Sequence, residues 1–386
     1  MKTLYATFLL TALASAQPKT HYDITDLGTL GGAYSYAYGI NDAGMISGGS
    51  ATSMQVDPSG VAQTAYLWRQ GQMTNLGTLS GAACPLCNSE GAAASANGQV
   101  AVISETSSMD TLGEDFCGFG THRQCLAAVW KNGTLSALPT LAPGVNSQVY
   151  WINNGGDAAG FSETGTTDAT CTLPFQLRRF QAVKWSPDGK LQELQPLPGD
   201  TVGFAFGINE NGEAVGASGL CSNTQIPPLG SPSGPHAVIW EKQGSPSDLG
   251  ALPGAIAYAG TAINDRGDVV GDAVFPDTSV HPFLWTKQGG MTDLGVASGD
   301  FVTVIPCCGT INNRGDIVAF SCGAAGCRAM IRQNNGWVDL NTLVGPGTQL
   351  YLANVASINE AGQIAGFGFT AAGEAHAFLA TPSAQD

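Results

Sequence analysis

Charge is scarce in this chain. Only 12% of its 386 residues are charged, about half the usual ~25%, and Lys plus Arg number 15 against 30 Asp plus Glu. No basic run occurs, so the electrostatic footprint of a nucleic-acid or anionic-membrane partner is missing. No stretch of the chain reaches the ~18 apolar residues of a spanning helix, so no membrane span is expected. Histidine is rare, with five residues, and no HExxH, GxSxG or P-loop pattern is present. A zinc-protease helix, a nucleophile elbow and a phosphate-cradling loop are thereby excluded as motifs. No cofactor and no metal centre are expected.

Glycine, by contrast, is abundant, with 52 residues spread along the chain. Many glycines, few charges and no long helical periodicity point to an all-β protein rich in turns. The first residues, "MKTLYATFLLTALASAQ", place Lys2 before an apolar stretch and then Ala14-Ser15-Ala16. That three-part pattern is a secretory signal peptide over 1–16, followed by a short lead over 17–21. Export makes the ten cysteines read as disulfides. They are Cys84, Cys87, Cys117, Cys125, Cys171, Cys221, Cys307, Cys308, Cys322 and Cys327. Cys117 is expected to pair with Cys125; the other pairings stay open. A zinc site from Cys84, Cys87, Cys117 and Cys125 is disfavoured, because the second pair is too widely spaced and export favours oxidation.

Four short segments, A to D, recur seven times at spacings of about 45 to 60 residues. Segment A ends in Ile-Asn, as at Ile40-Asn41, Ile152-Asn153, Ile208-Asn209, Ile263-Asn264, Ile311-Asn312 and Ile358-Asn359. A degenerate copy, "AASANG", occupies 93–98. Segment B follows a glycine, as in "MISGG" and "DVVGD". Segment C is "TAYLW", "HAVIW", "HPFLW" and their kin, with Trp68, Trp130, Trp185, Trp240 and Trp285 marking its end. Segment D is "ITDLG", "MTNLG", "MTDLG" and relatives. Each is short, rich in β-branched, aromatic and small apolar residues, and flanked by turn residues, so each is a strand.

Four antiparallel strands per repeat predict a seven-bladed β-propeller occupying 22–380 as one domain, with a C-terminal tail over 381–386. The chain opens on a D segment and ends on a C segment. Pairing 22–28 with 375–380 would complete the last blade and remove two exposed edges. Segment A, rich in Ala and Gly, suits the crowded innermost strand, and the tryptophans suit packing between blades. His236, His281 and His376 share one repeat position, which points to an architectural role.

The stretches "HPFLWTKQGGMTDLG" (281–295), "TDLGTLGGAYSYAYGINDAGMISG" (25–48) and "HAFLA" (376–380) resemble the HAF-repeat extracellular proteins of bacteria over nearly the whole mature chain. "LAAVW", "LSALP" and "CRAMI" depart from that pattern. The resemblance implies an exported repeat protein and no defined reaction.

A-to-B and C-to-D turns are tight, whereas B-to-C and D-to-A connections are long and varied. In an up-and-down blade the two kinds lie on opposite faces, so every insertion gathers at one rim, where binding residues concentrate. The candidate binding residues there are Asp110, Glu114, Asp115, His122, Arg123 and Asp300. Glu105, Glu163, Asp168, Asp200, Asp272 and Asp277 complete the loop carboxylates that could serve acid–base chemistry if paired. The expected function is a secreted or periplasmic monomer that binds a protein or glycan through this face without catalysis. A polysaccharide hydrolase or lyase, or a structural envelope or matrix protein, is the alternative. Two Arg-Gly-Asp tripeptides, 266–268 and 314–316, occupy A-to-B turns, where only the glycine recurs. They mark the repeat and are not an adhesion signal.

Overall fold

The computed structural model describes residues 20–55, 61–171, 176–224, 232–345 and 347–383. The expected signal peptide, most of the lead and the last three residues of the tail lie outside these.

Among the described residues the chain forms five four-stranded antiparallel sheets and one eight-stranded sheet. The four-stranded sheets start at strands Ser89–Ala94, Ser147–Ile152, Val202–Ile208, Ala257–Ile263 and Asp300–Val304, and each meanders through A, B, C and D in order. The eight-stranded sheet joins the run from Gly31–Ile40 to Gln72–Gly77 with Tyr351–Ile358, Ile364–Phe369 and Ala375–Ser383. A single parallel bridge, Tyr34 to Ala375, links its halves. Strand His21–Asp26 lies antiparallel on Ala375–Ser383, from His21 opposite Ser383 to Asp26 opposite Phe378. Pairing thus extends one residue into the expected lead and three into the expected tail. The A strands of the first five repeats pack against one another in order, and that of the last repeat packs against the first, as a β-propeller requires. Repeats are numbered by their A segments, from 31–40 (first) to 351–358 (seventh).

Six of the seven A-to-B turns are built by one asparagine, and Ser95 takes its place in the second repeat. Asn264 Oδ1 accepts from the backbone N–H groups of Arg266 and Asp268, and Gly267 takes φ +81°, a conformation that costs glycine little. The asparagine also faces outward from its own turn. Its Nδ2 donates to the carbonyl of the next repeat: Asn153 to Asn209, Asn209 to Asn264, Asn264 to Asn312, Asn312 to Asn359, and Asn359 to Asn41. Asn41 reaches Ser95, the degenerate member, which has no amide to pass on. A second tier lies just above. Glu210, Asp265, Asn313, Glu360 and Asp42 each accept the backbone N–H of the preceding repeat's equivalent residue.

The C and D segments carry their own repeated bonds. His236, His281 and His376 place Nδ1 2.9–3.1 Å from a carboxylate oxygen of Asp248, Asp293 and Asp26. The last pair joins residues 350 positions apart. Trp185, Trp240 and Trp337 donate Nε1–H to the carbonyls of Pro139, Gln195 and Gly295 in the preceding sheet. These indoles therefore pack between blades.

The innermost strands depart from the expected run of small residues, for Tyr38, Tyr150, Trp151, Phe204 and Phe206 lie on them. A recurring register shift holds three of them, Tyr38, Tyr150 and Phe206. The other six A strands bulge as Val149–Trp151 does, and a bulge turns an extra side chain away from the pleat. In the sixth repeat the A strand stops at Val304 and the Cys307–Cys308 disulfide follows.

Candidate functional site

The two faces differ in what they expose. Nine large apolar residues are exposed among the described residues: Leu86, Met109, Leu112, Leu177, Leu220, Ile256, Phe301, Tyr351 and Phe369. Every one sits in a D-to-A or B-to-C connection or at the strand end that feeds it. Scattered exposed apolar residues are ordinary, but confinement to a single face is not. Tyr351 and Phe369 stand opposite each other in register, and Phe301 opens the neighbouring A strand.

The disulfides brace the same face, except Cys307–Cys308, which joins consecutive residues of the sixth repeat's A segment. They join Cys84–Cys87, Cys117–Cys125, Cys171–Cys221, Cys307–Cys308 and Cys322–Cys327, and no described cysteine is free. The four cysteines of the disfavoured zinc set are thus consumed by two disulfides. Cys171–Cys221 ties the third repeat's long loop to the fourth's. Phe116, Phe161, Phe180, Phe204 and Phe206 pack with Cys125, Cys221 and Cys308 into one buried cluster, joined by Tyr150 and Trp151. An apolar plug therefore occupies the axial end of this face.

Beneath the rim lies a buried acidic node. Asp110 begins the second repeat's long loop, where its Oδ1 caps the turn by accepting from Leu112 N and Glu114 N. That turn delivers Glu114 to the third repeat, where its Oε1 accepts from Leu177 N and from Arg178 N at 3.1 Å. Glu163 lies within the third repeat's B strand, Ala158–Thr167, just before its register shift. Its Oε2 accepts from Asn146 N, Asn146 Nδ2 and Arg178 Nη1 at 2.8, 3.0 and 3.3 Å, and its Oε1 from Gln176 Nε2 at 3.0 Å. Asn146 Nδ2 also reaches Asp110 Oδ2 at 2.9 Å. One oxygen from each of the three carboxylates lies within 4.8 Å of the others. Exposure is 8% for Asp110, 3% for Glu114 and 0% for Glu163. Burial pushes the Glu163 carboxyl up to about 7; the Asn146 N–H opposes this, Glu114 adds to it and Arg178 opposes it. Among the described residues Glu114 Oε2 meets no hydrogen-bond donor.

Of the six candidate binding residues, Asp110 and Glu114 meet here. Asp115 accepts from Gly120 N with both oxygens. His122, at φ +56°, holds the Gly113 carbonyl through Nδ1 at 2.7 Å. Arg123 donates to the Ser107 carbonyl at 3.2 Å. Those three shape the loop itself. Asp300 is elsewhere, ion-paired to Arg328 at 2.9 Å on the sixth repeat's sheet.

The remaining loop carboxylates also have assigned partners. Glu105 is the repeat equivalent of Glu163 and holds Asn88 as Glu163 holds Asn146. Asp168 and Asp277 accept from Thr170 and Ser279, which lowers both carboxyls below the usual range. Asp200 accepts from Ser218 at 2.6 Å. Asp272 Oδ1 accepts from Ile305 N, its Oδ2 meets no donor, and burial raises it well above the usual carboxylate value. One buried acid was not among the candidates. Glu90, on the second repeat's A strand, accepts from Gln63 Nε2 at 3.2 Å and is raised by burial against the Tyr38 and Gln63 hydrogen bonds. Its place one residue after Ser89 in an A segment was the available signal.

At the opposite face the axial depression is small, about 110 Å³. Its walls are the repeated Ile-Asn pairs, its floor includes Trp151, and its lip is Asp42, Asn154, Glu210, Asp265, Asn313 and Glu360. The Arg-Gly-Asp turns belong to this face. Arg266 pairs with Asp268 and Arg314 with Asp316, both at 2.6 Å. Arg266 Nη1 also bonds the Asn313 carbonyl of the next turn.

No protein-family profile matches the chain, and no curated protein matches it. Solved structures do. The β-propeller domain of the Trilobed protease from Pyrococcus furiosus aligns with TM-score 0.51 at 9% identity, over 91% of this chain and 98% of that one. Puromycin hydrolase aligns with TM-score 0.54 at 10% identity, over 89% of this chain and 51% of that one. Pyrococcus horikoshii acylaminoacyl peptidase aligns with TM-score 0.52 at 9% identity, over 91% and 52%. The fold is a β-propeller. This chain spans about half the length of those two enzymes, and identities this low carry the fold alone. No described helix is long and apolar enough to cross a membrane.

Proposed function

We propose that this chain is an exported, non-catalytic β-propeller that binds a protein partner through its disulfide-braced long-loop face. The confinement of all nine exposed large apolar residues to that face carries the reading, since apolar surface held in water on one side marks an interaction site. Disulfides that fix those loops lower the ordering cost of binding. The apolar axial plug and the local partners of the loop carboxylates favour binding over hydrolysis.

The architecture we infer has seven blades. Two are the halves of the eight-stranded sheet, and strand His21–Asp26 supplies the last D strand. The His376–Asp26 pair supports this, because it reproduces His236–Asp248 and His281–Asp293 across the termini. The Asn359-to-Asn41 bond supports ring closure in the same way. Membership of the HAF-repeat extracellular proteins and cleavage of a signal peptide over 1–16 remain part of the proposal. Five disulfides suit an oxidising compartment. A second reading, a glycan ligand, is favoured by the aromatic strip of Phe301, Tyr351 and Phe369, since aromatic faces stack on sugar rings.

The test uses the mature protein on a glycan array and as bait for surface and secreted proteins of its source. A triple variant, Met109→Asp with Leu112→Asp and Leu177→Asp, should abolish protein capture while leaving Tm within about 2 °C, as exposed sites allow. Undiminished capture by that variant would refute the protein reading. Array binding lost in Phe301→Ala with Tyr351→Ala would establish the glycan reading instead.

A further inference from the structure

We propose that Asp110, Glu114 and Glu163 form a binding site for one divalent cation of the Ca2+ class, which fastens the second repeat's long loop to the third repeat.

The geometry is that of a built site. Three carboxylate oxygens, two from the 110–114 turn and one from the third repeat's B strand, converge within 4.8 Å, and all three residues are more than nine-tenths buried. The donors around them are distributed unevenly. Glu163 accepts four hydrogen bonds, Asp110 three and Glu114 Oε1 two. Glu114 Oε2, buried as well, accepts none among the described residues. An ionised oxygen buried without a partner is costly, so this oxygen asks for a positive centre that the described residues do not supply.

Charge gives the same answer. Three carboxylates against one guanidinium, Arg178, leave two negative charges in excess. One shared proton removes half of that excess, and one divalent cation removes all of it. An oxygen-only set, with neither imidazole nor thiolate, selects a hard cation. Ca2+ tolerates irregular carboxylate geometry and completes its shell with carbonyls or water, whereas Mg2+ demands a near-ideal octahedron. Cys117–Cys125 and Cys171–Cys221 hold the two contributing loops in place, so little ordering is left for the ion to impose. Cation binding here is independent of whether the face takes a protein or a glycan ligand.

The mature protein, stripped with EDTA and passed into metal-free buffer, would be titrated with CaCl2 and separately with MgCl2 by calorimetry and thermal unfolding. One equivalent of Ca2+ should bind, and a hundredfold excess over Kd should raise Tm by about 3–5 °C. Glu114→Gln should lose both effects, and the control Asp277→Asn should keep them. If Glu114→Gln does not fold, Tb3+ luminescence of the wild type, competed by Ca2+, provides the readout. No calcium response in the wild type would overturn the proposal, as would an equal response in Glu114→Gln. A Tm that responds to pH but not to Ca2+ would also overturn it and would assign the site a shared proton.

Discussion

The two faces of this propeller are made by opposite rules. On the tight-turn face one solution is repeated: an asparagine caps its turn through Oδ1 and grips the next repeat through Nδ2. Among the described residues no disulfide lies there, and no large apolar side chain is exposed there. On the long-loop face the connections themselves do not repeat, although a few anchors at their base do, such as Glu105 on Asn88 and Glu163 on Asn146. Each connection has its own length, and four disulfides of four different spans brace them. One face spends its side chains on joining repeats, and the other presents surface. A chain built from repeats can vary one face freely when the other carries the connections.

The largest expected effect comes from breaking the shared belt. Asn359→Ala removes the turn cap on Gln363 N and the bond to the Asn41 carbonyl, leaving buried groups unpaired. It should cost roughly 2–4 kcal/mol, read by urea unfolding. A loss below about 1 kcal/mol would mean that the belt is decoration. Next in size is the bond between long loops. Replacing Cys171 and Cys221 together by Ala should cost about 2–4 kcal/mol. Hydrogen exchange should quicken in the 163–171 and 218–224 segments while the A-to-B turns stay protected. Equal loss of protection on both faces would erase the contrast between them.

The smallest effect is pH-dependent. Burial raises the Asp272 carboxyl well above its ordinary 3.8. The folded state therefore favours the protonated acid, and that stabilisation is full below about pH 4 and is lost as pH rises through the folded value. Asp272→Asn keeps an acceptor for Ile305 N and cannot ionise. It should raise Tm at pH 8 and leave it nearly unchanged at pH 3.5. A variant less stable at both values would show that Oδ2 has a role other than an uncharged one.

The strands, the meander and the faces could be read from the sequence because they rest on local signals: alternation, turn glycines and segment order. The role of the repeated histidines was legible for the same reason. The Asp partner of each was not, although it recurs in the D segment twelve residues on in two of the three cases. Tyr38, Tyr150 and Phe206 at the axis were missed because a bulge changes the facing of a residue without changing its pattern. The acidic node was half legible. Asp110 and Glu114 stood out as loop acids, but their meeting with Glu163 depends on how one blade's loop lies across the next. No spacing encodes that.

The degenerate turn at Ser95 has a mechanical meaning. With no amide there, the inner belt skips the junction between the second and third repeats, where only the Ala96 N–H to Asn154 bond remains in the tier above. At that same junction the other face is most heavily stitched. Gln148 holds the Phe116 carbonyl, Asn146 holds Cys125 N and Asp110, Glu114 holds Leu177 and Arg178, and Arg178 holds Thr111. The seam missing its rivet on one side carries a clasp on the other. A pulling force that released the clasp would open the wheel there first.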